Sequence, residues 1–146
     1  MEDTLSDTDR RRLVAAAFGA RENAYSSPGH PPFRVGAALL TVDLEIVSGA
    51  SVDCVSSGCV CAERTAIVKA VSEGIRTFRA IAIVSDVAVP ISPCGLCRQV
   101  LYEFCPSHMP CLLVPGDYDT RRDQGDASGG VEVRSLSDLI PYPFDH

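Results

Sequence analysis

Cys61-Ala62-Glu63-Arg64-Thr65-Ala66-Ile67-Val68-Lys69-Ala70-Val71 sets Ile67, Ala70 and Val71 on one helical stripe, and Gly74 supplies a stop signal. Downstream, Arg79-Ala80-Ile81-Ala82-Ile83-Val84-Ser85 is a short apolar run of buried-strand character. Pro93 then stands just ahead of a second helix, Cys94 to Phe104, with Val100, Leu101 and Phe104 on one side. Upstream, Val35 to Thr41 and Ile46 to Ser51 predict two adjacent strands joined by Val42-Asp43-Leu44-Glu45. Further out, Ser6 to Ala24 predicts a helix capped by Thr8, with Leu13, Ala17, Ala20 and Ala24 on one face, ended by the Ser26 to Pro32 stretch. At the other end Pro110 to Val114 and Val131 to Val133 predict two strands, and Asp119 to Gly130 an exposed loop. Ser135, three residues before Asp138, predicts a capping box and a terminal helical turn. This alternation predicts an α/β chain: a three-layer α/β/α domain around a mixed five-stranded sheet.

With 146 residues, 46% of them hydrophobic, the chain is expected to form one core, a single domain over 1–146. Its 13 Lys and Arg against 19 Asp and Glu leave a formal charge of -6. No stretch gathers a basic face, so a nucleic acid polymer is not expected as a partner. The start is polar and acidic, and Arg10-Arg11-Arg12 precedes no apolar segment of signal-peptide or membrane-spanning length, so a cytoplasmic, membrane-free protein is expected. Seven cysteines, an odd number, then point to reduced thiols, some buried and some metal-bound, over a disulfide framework.

Two cysteine groups stand at predicted helix starts: Cys61 with Glu63 two residues on, and Pro93-Cys94-Gly95-Leu96-Cys97. Free amide hydrogens and positive partial charge at a helix N-terminus favour thiolate, the form that binds zinc. Cys94 and Cys97, three apart, share a face of the first helical turn and can reach one ion. Three protein ligands leave a corner for water, and Glu63 next to that water points to catalysis. The competing reading is a structural zinc knot from Cys59, Cys61, Cys94 and Cys97, which leaves Glu63 without a role.

Phe33-Arg34-Val35-Gly36-Ala37-Ala38, Cys61-Ala62-Glu63-Arg64-Thr65-Ala66 and Ser92-Pro93-Cys94-Gly95-Leu96-Cys97-Arg98-Gln99 together resemble the small, homotetrameric, zinc-dependent cytidine deaminases, from about the first helix to Phe144. The resemblance implies a cytidine deaminase-like fold and one Zn2+ per subunit held by Cys61, Cys94 and Cys97. It implies pyrimidine salvage chemistry in which cytidine or deoxycytidine becomes uridine or deoxyuridine with release of ammonia. Glu63 would carry protons to the ring N3 and to the departing amino group. Arg64 resembles the arginine that donates hydrogen bonds to the ligand sulfurs and offsets their charge; a solvated helix residue is the other reading. Phe33 and Ala62 match positions at the base, and Phe144 matches the C-terminal aromatic that reaches a neighbouring subunit's site. The alternatives are a core phenylalanine at Phe33 and a frayed terminus at Phe144.

One stretch departs from the pattern. Where these enzymes carry Asn-x-Glu-Asn for the ribose hydroxyls, this chain has Ser51-Val52-Asp53-Cys54. Ser51 and Asp53 keep an acceptor at each position but are shorter, which opens a rival substrate, another aminated heterocycle or a nucleoside antibiotic of the blasticidin type from specialised metabolism. Asp53 also reads as a turn residue. A zinc-stabilised interaction module is the non-enzyme rival, and an editing enzyme on polynucleotides is disfavoured by the charge. Cys54, Cys59, Cys105 and Cys111 are expected to be mostly small core residues, with Cys59 a competitor for metal. His30, His108 and His146 lack ligand spacing.

Overall fold

The computed structural model describes residues 5–29, 31–55 and 59–145; His30 and His146, read as loop or surface residues, lie outside them. In chain order the elements are α1 (Asp7–Arg21), β1 (Tyr25–Ser26), β2 (Val35–Thr41), β3 (Ile46–Ala50), β4 (Val52–Asp53), α2 (Ala62–Ser72), β5 (Phe78–Ser85), α3 (Gly95–Phe104), β6 (Pro110–Val114), α4 (Tyr118–Asp123), β7 (Glu132–Ser135) and α5 (Leu136–Leu139). Five strands form one sheet in the order β3-β2-β5-β6-β7. β5 and β6 run parallel and the other pairs antiparallel, so the sheet is mixed, as the alternation of elements predicts.

The two-residue period of a strand divides the core into two layers. Ala37 and Leu39 on β2 face the same side as Ile81 and Ile83 on β5, and α2, α3 and α5 cover that side with Ala66, Ile67, Leu101 and Leu136. Ala38, Leu40, Ala80, Ala82 and Val84 face the opposite side, which α1 covers with Leu13, Val14 and Ala17. Strands buried on both faces read in sequence as unbroken apolar runs, and that is the composition of Val35 to Thr41 and of Arg79 to Ser85.

Close approach of helix to sheet depends on two glycines. A Cβ on Gly36 would stand 2.0 Å from the Ala17 carbonyl oxygen of α1, and one on Gly49 would stand 2.5 Å from the Ala66 backbone nitrogen of α2. Both obstacles are backbone, so relief requires moving a helix. Gly49→Ala is expected to lower the unfolding free energy by about 1–3 kcal/mol, the usual cost of overpacking, as measured by urea denaturation. The same displacement would move the α2 start that carries Cys61 and Glu63.

Three local expectations are corrected. Ser6, not Thr8, caps α1: Ser6 is extended and its hydroxyl oxygen accepts from the Asp9 N–H, whereas Thr8 is already inside the helix. Part of the Asp119 to Gly130 loop is helical: Tyr118, the first residue of α4, is buried beside Phe18, with ring centroids 6.0 Å apart, and ties the segment to α1. Arg121 pairs with Asp117 at 2.8 Å across one turn of it. The last strand begins at Glu132 instead of Val131; it is a half-exposed edge whose register is set by β6, from Leu113 opposite Glu132 to Pro110 opposite Ser135. The parallel β1–β4 pair is a further element, too short to leave a periodic signal. The capping box at Ser135 and Asp138 forms with both bonds present. No described helix is long and apolar enough to cross a membrane.

Candidate metal centre and active-site cleft

Cys61 and Cys94 are the N-cap residues of α2 and α3, both extended, and neither side chain turns back to cap its own helix. Their sulfurs project from the two helix starts toward one point, and Cys97, fully buried one turn into α3, completes the group. Three sulfurs sharing a tetrahedral zinc at ~2.3 Å stand ~3.8 Å apart. Here Cys61 Sγ and Cys94 Sγ are 3.7 Å apart and Cys94 Sγ and Cys97 Sγ 3.4 Å, all three lying within 4.8 Å of one another. The donor set therefore fits zinc, and among the described residues no fourth His, Cys, Asp or Glu atom joins it.

The electrostatics point the same way. Burial and the Glu63 charge push the Cys97 thiol above its usual range, a penalty that a bound divalent cation reverses. At Cys94 burial also raises the thiol, but hydrogen bonds from the Cys97 and Leu96 amides and from both neighbouring thiols prevail and hold it below the usual range. One Arg64 nitrogen donates to Cys61 Sγ at 3.4 Å, and its hydrogen bonds to Cys61 and Cys97 keep the guanidinium firmly protonated. Arg64 thus supplies a positive charge to a cluster that, as three thiolates with one divalent zinc, would carry a formal charge of -1.

Glu63, in the first turn of α2, is only 4% exposed. Burial pushes its carboxyl above the ordinary glutamate value, against smaller opposing effects from its own backbone N–H and from Arg64. It opens onto a cleft of about 250 Å³ that Cys61, Ala62 and Cys94 also line. Phe33, Val35, Ser51 and Asp53 line the same cleft, as do Ile91 and Ser92. Phe33 is 44% exposed at the rim and is not a core residue. Ser51 is buried, and its hydroxyl oxygen accepts from the Val35 N–H at 3.0 Å.

Phe144 lies outside the cleft lining and is exposed, with its backbone held by Gln99. Cys54 and Cys59 are exposed, contrary to the expectation of core residues, and Cys59 does not join the sulfur cluster. Cys105 and Cys111 are buried, with thiols that burial pushes up to about 12. His108 is exposed. Val35, Ile91 and Ser92 were given no site role from the sequence. Val35 and Ser92 carried a usable signal, their places in the stretches around Phe33 and directly before Pro93-Cys94, whereas Ile91 carried none.

The family model for the cytidine and deoxycytidylate deaminase zinc-binding region matches residues 7–113. The chain belongs to this deaminase family. It is 42% identical over 137 residues to the cytidine deaminase of Halalkalibacterium halodurans, covering 93% of this chain and 94% of that one. The crystal structure of cytidine deaminase from Burkholderia pseudomallei superposes with a TM-score of 0.77 at 39% identity, covering 96% of this chain and 100% of that one. A blasticidin-S deaminase of Bacillus cereus is 36% identical over 119 residues, 75% of this chain and 76% of its own. The fold is thus that of a cytidine deaminase, and the protein is a hydrolytic deaminase whose cofactor is one zinc ion per chain. Family membership sets aside the interaction-module reading.

Proposed function

We propose that this deaminase converts cytidine or deoxycytidine and water to uridine or deoxyuridine and ammonia. The observation that carries the reading is Glu63, a buried carboxyl facing the same cleft as a three-sulfur cluster. Cys61, Cys94 and Cys97 would hold the zinc ion, which when bound would supply the Lewis acidity that makes water acidic near neutral pH. Glu63 takes the proton of the attacking water and delivers it to ring N3, which leaves C4 electron-poor. Once the C4–O bond has formed, Glu63 takes the proton of the new C4 hydroxyl and passes it to the amino group, so that the C4–N bond breaks, ammonia departs and a C4 carbonyl remains. A carboxyl whose proton affinity is raised by burial is better matched to this shuttle than a solvated one.

Phe33 and Ala62 flank the position of the base in this reading, and Ser51 and Asp53 meet the sugar hydroxyls. Arg64 keeps the thiolates from quenching the metal's acidity. Arg64→Gln is therefore expected to lower zinc affinity or kcat about 10- to 100-fold, which metal titration and steady-state kinetics would resolve. The same reading extends to a cytoplasmic homotetramer in pyrimidine salvage, in which Phe144 of one chain reaches a neighbour's cleft, and to the whole chain as a single domain. Sedimentation tests the assembly: a monomer at assay concentration would remove that role from Phe144.

The test of substrate is ammonia release from cytidine, deoxycytidine, cytosine and blasticidin S by zinc-loaded protein. Turnover of the first two alone is expected. The second reading, a diverged heterocycle or antibiotic substrate, is favoured by the shortened Ser51-Val52-Asp53-Cys54 stretch, and turnover of blasticidin S alone would establish it. Inactivity toward cytidine and deoxycytidine would reject the primary reading.

A further inference from the structure

The turn that carries Cys94 is held by one residue that belongs to neither the metal cluster nor the cleft lining. Arg98 sits one turn into α3, where its backbone N–H donates to the Cys94 carbonyl at 2.9 Å. Its guanidinium reaches back over the helix start. Nε donates to the Pro93 carbonyl at 2.7 Å and one terminal nitrogen to the Ser92 hydroxyl oxygen at 2.7 Å. The other terminal nitrogen donates to the Leu139 carbonyl at the end of α5. One rigid, planar group thus commits all three of its nitrogens: two to the consecutive residues ahead of a sulfur ligand, and the third to the C-terminal segment.

Gln99 adds a second tie to the same segment. Its Nε2 donates to the Phe144 carbonyl at 2.9 Å, and its Oε1 accepts from the Phe144 N–H at 3.2 Å. Successive residues of α3 therefore clasp Leu139 and Phe144, so the docking of the C-terminal segment is passed to the start of α3.

Ser92 and Pro93 lie in no helix or strand, so no ladder of backbone bonds fixes their conformation. That conformation nevertheless sets where Cys94 Sγ lies and where Ser92 stands in the cleft wall. A functional constellation tolerates errors of only about 0.5 Å in such placements. We propose that Arg98 is a positioning residue of this deaminase: it holds the Ser92-Pro93-Cys94 turn in register with Cys61 and Cys97, with the C-terminal segment as its anchor. It acts through Cys94 and Ser92 and touches neither metal nor substrate. The proposal rests on the deaminase reading only for its kinetic readout.

The test compares wild type with Arg98→Gln, Arg98→Lys and Ser92→Ala, each loaded with cobalt(II) for absorption spectroscopy and with zinc for kinetics. Sulfur-to-cobalt and ligand-field bands report the placement of the thiolates independently of turnover. For Arg98→Gln we expect shifted cobalt bands and a fall of about 10- to 100-fold in metal affinity or kcat, with KM changed less than kcat. Arg98→Lys keeps a cation but loses the fork, and is expected to fall between. Folded Arg98 variants with wild-type cobalt spectrum and kcat would overturn the proposal, and so would a lowered melting temperature as the sole change. If neither Arg98 variant folds, Ser92→Ala decides: shifted cobalt bands support the proposal, an unchanged spectrum overturns it. A wild-type protein inactive on cytidine would defeat the substrate reading, while the cobalt comparison would still decide the role of Arg98.

Discussion

Replacing Glu63 by Gln is expected to leave one zinc per chain in place while cutting kcat by about 10²- to 10⁴-fold, the usual contribution of a positioned acid–base group. Gln has the size and shape of Glu and keeps an oxygen in the cleft, so packing around this buried position changes little. What disappears is the capacity to hold a proton and release it twice in one turnover. Metal analysis alongside steady-state cytidine deamination separates the two effects. A variant that keeps both zinc and wild-type turnover would show that Glu63 moves no proton and would return the cluster to a structural role.

Cys97→Ser is expected to do the opposite, removing metal and activity together. Cys97 is fully buried and linked to Cys94 Sγ at 3.4 Å, and its replacement leaves Cys61 and Cys94 as a two-sulfur site without the preference of a soft three-thiolate donor set. Zinc content should drop from one per chain to a small fraction, with turnover falling to background. Because metal that binds the folded state stabilises it by mass action, about 2.7 kcal/mol at a hundredfold excess over Kd, the variant should also melt at the temperature of chelator-treated wild type. Calorimetry with and without added zinc checks this. A Cys97→Ser protein that bound zinc as tightly as wild type would refute the three-sulfur centre.

The site was legible in the chain to the extent that its chemistry is local. Cys61, Glu63, Cys94 and Cys97 sit at helix starts, where spacing alone tells which atoms share a turn, and the two apolar strands between and before those helices announce a buried sheet. Gly36 and Gly49 were not readable as contact points, because the backbone they admit belongs to helices distant in sequence. The same holds for α4, whose exposed, charged residues look like a loop until Tyr118 is seen packed against Phe18. Nor did composition distinguish the seven cysteines: Cys54 and Cys59, outside helices and strands, are exposed, while Cys105 at the end of α3 and Cys111 in β6 are buried.

By itself, then, the order of residues determined the layered α/β plan, the apolar strands of its sheet, and the candidate sulfur and carboxyl groups at two helix starts. Each of these follows from periodicities of two or about four residues along one element. Only the tertiary structure decided that Cys61 and Cys94, 33 positions apart, meet at 3.7 Å. It also decided that Glu63 opens into their cleft and that Arg98 braces their turn from the C-terminal segment. Such distances depend on two helices docking at a fixed depth on one face of the sheet, and depth is set by packing across the fold, which no local pattern encodes.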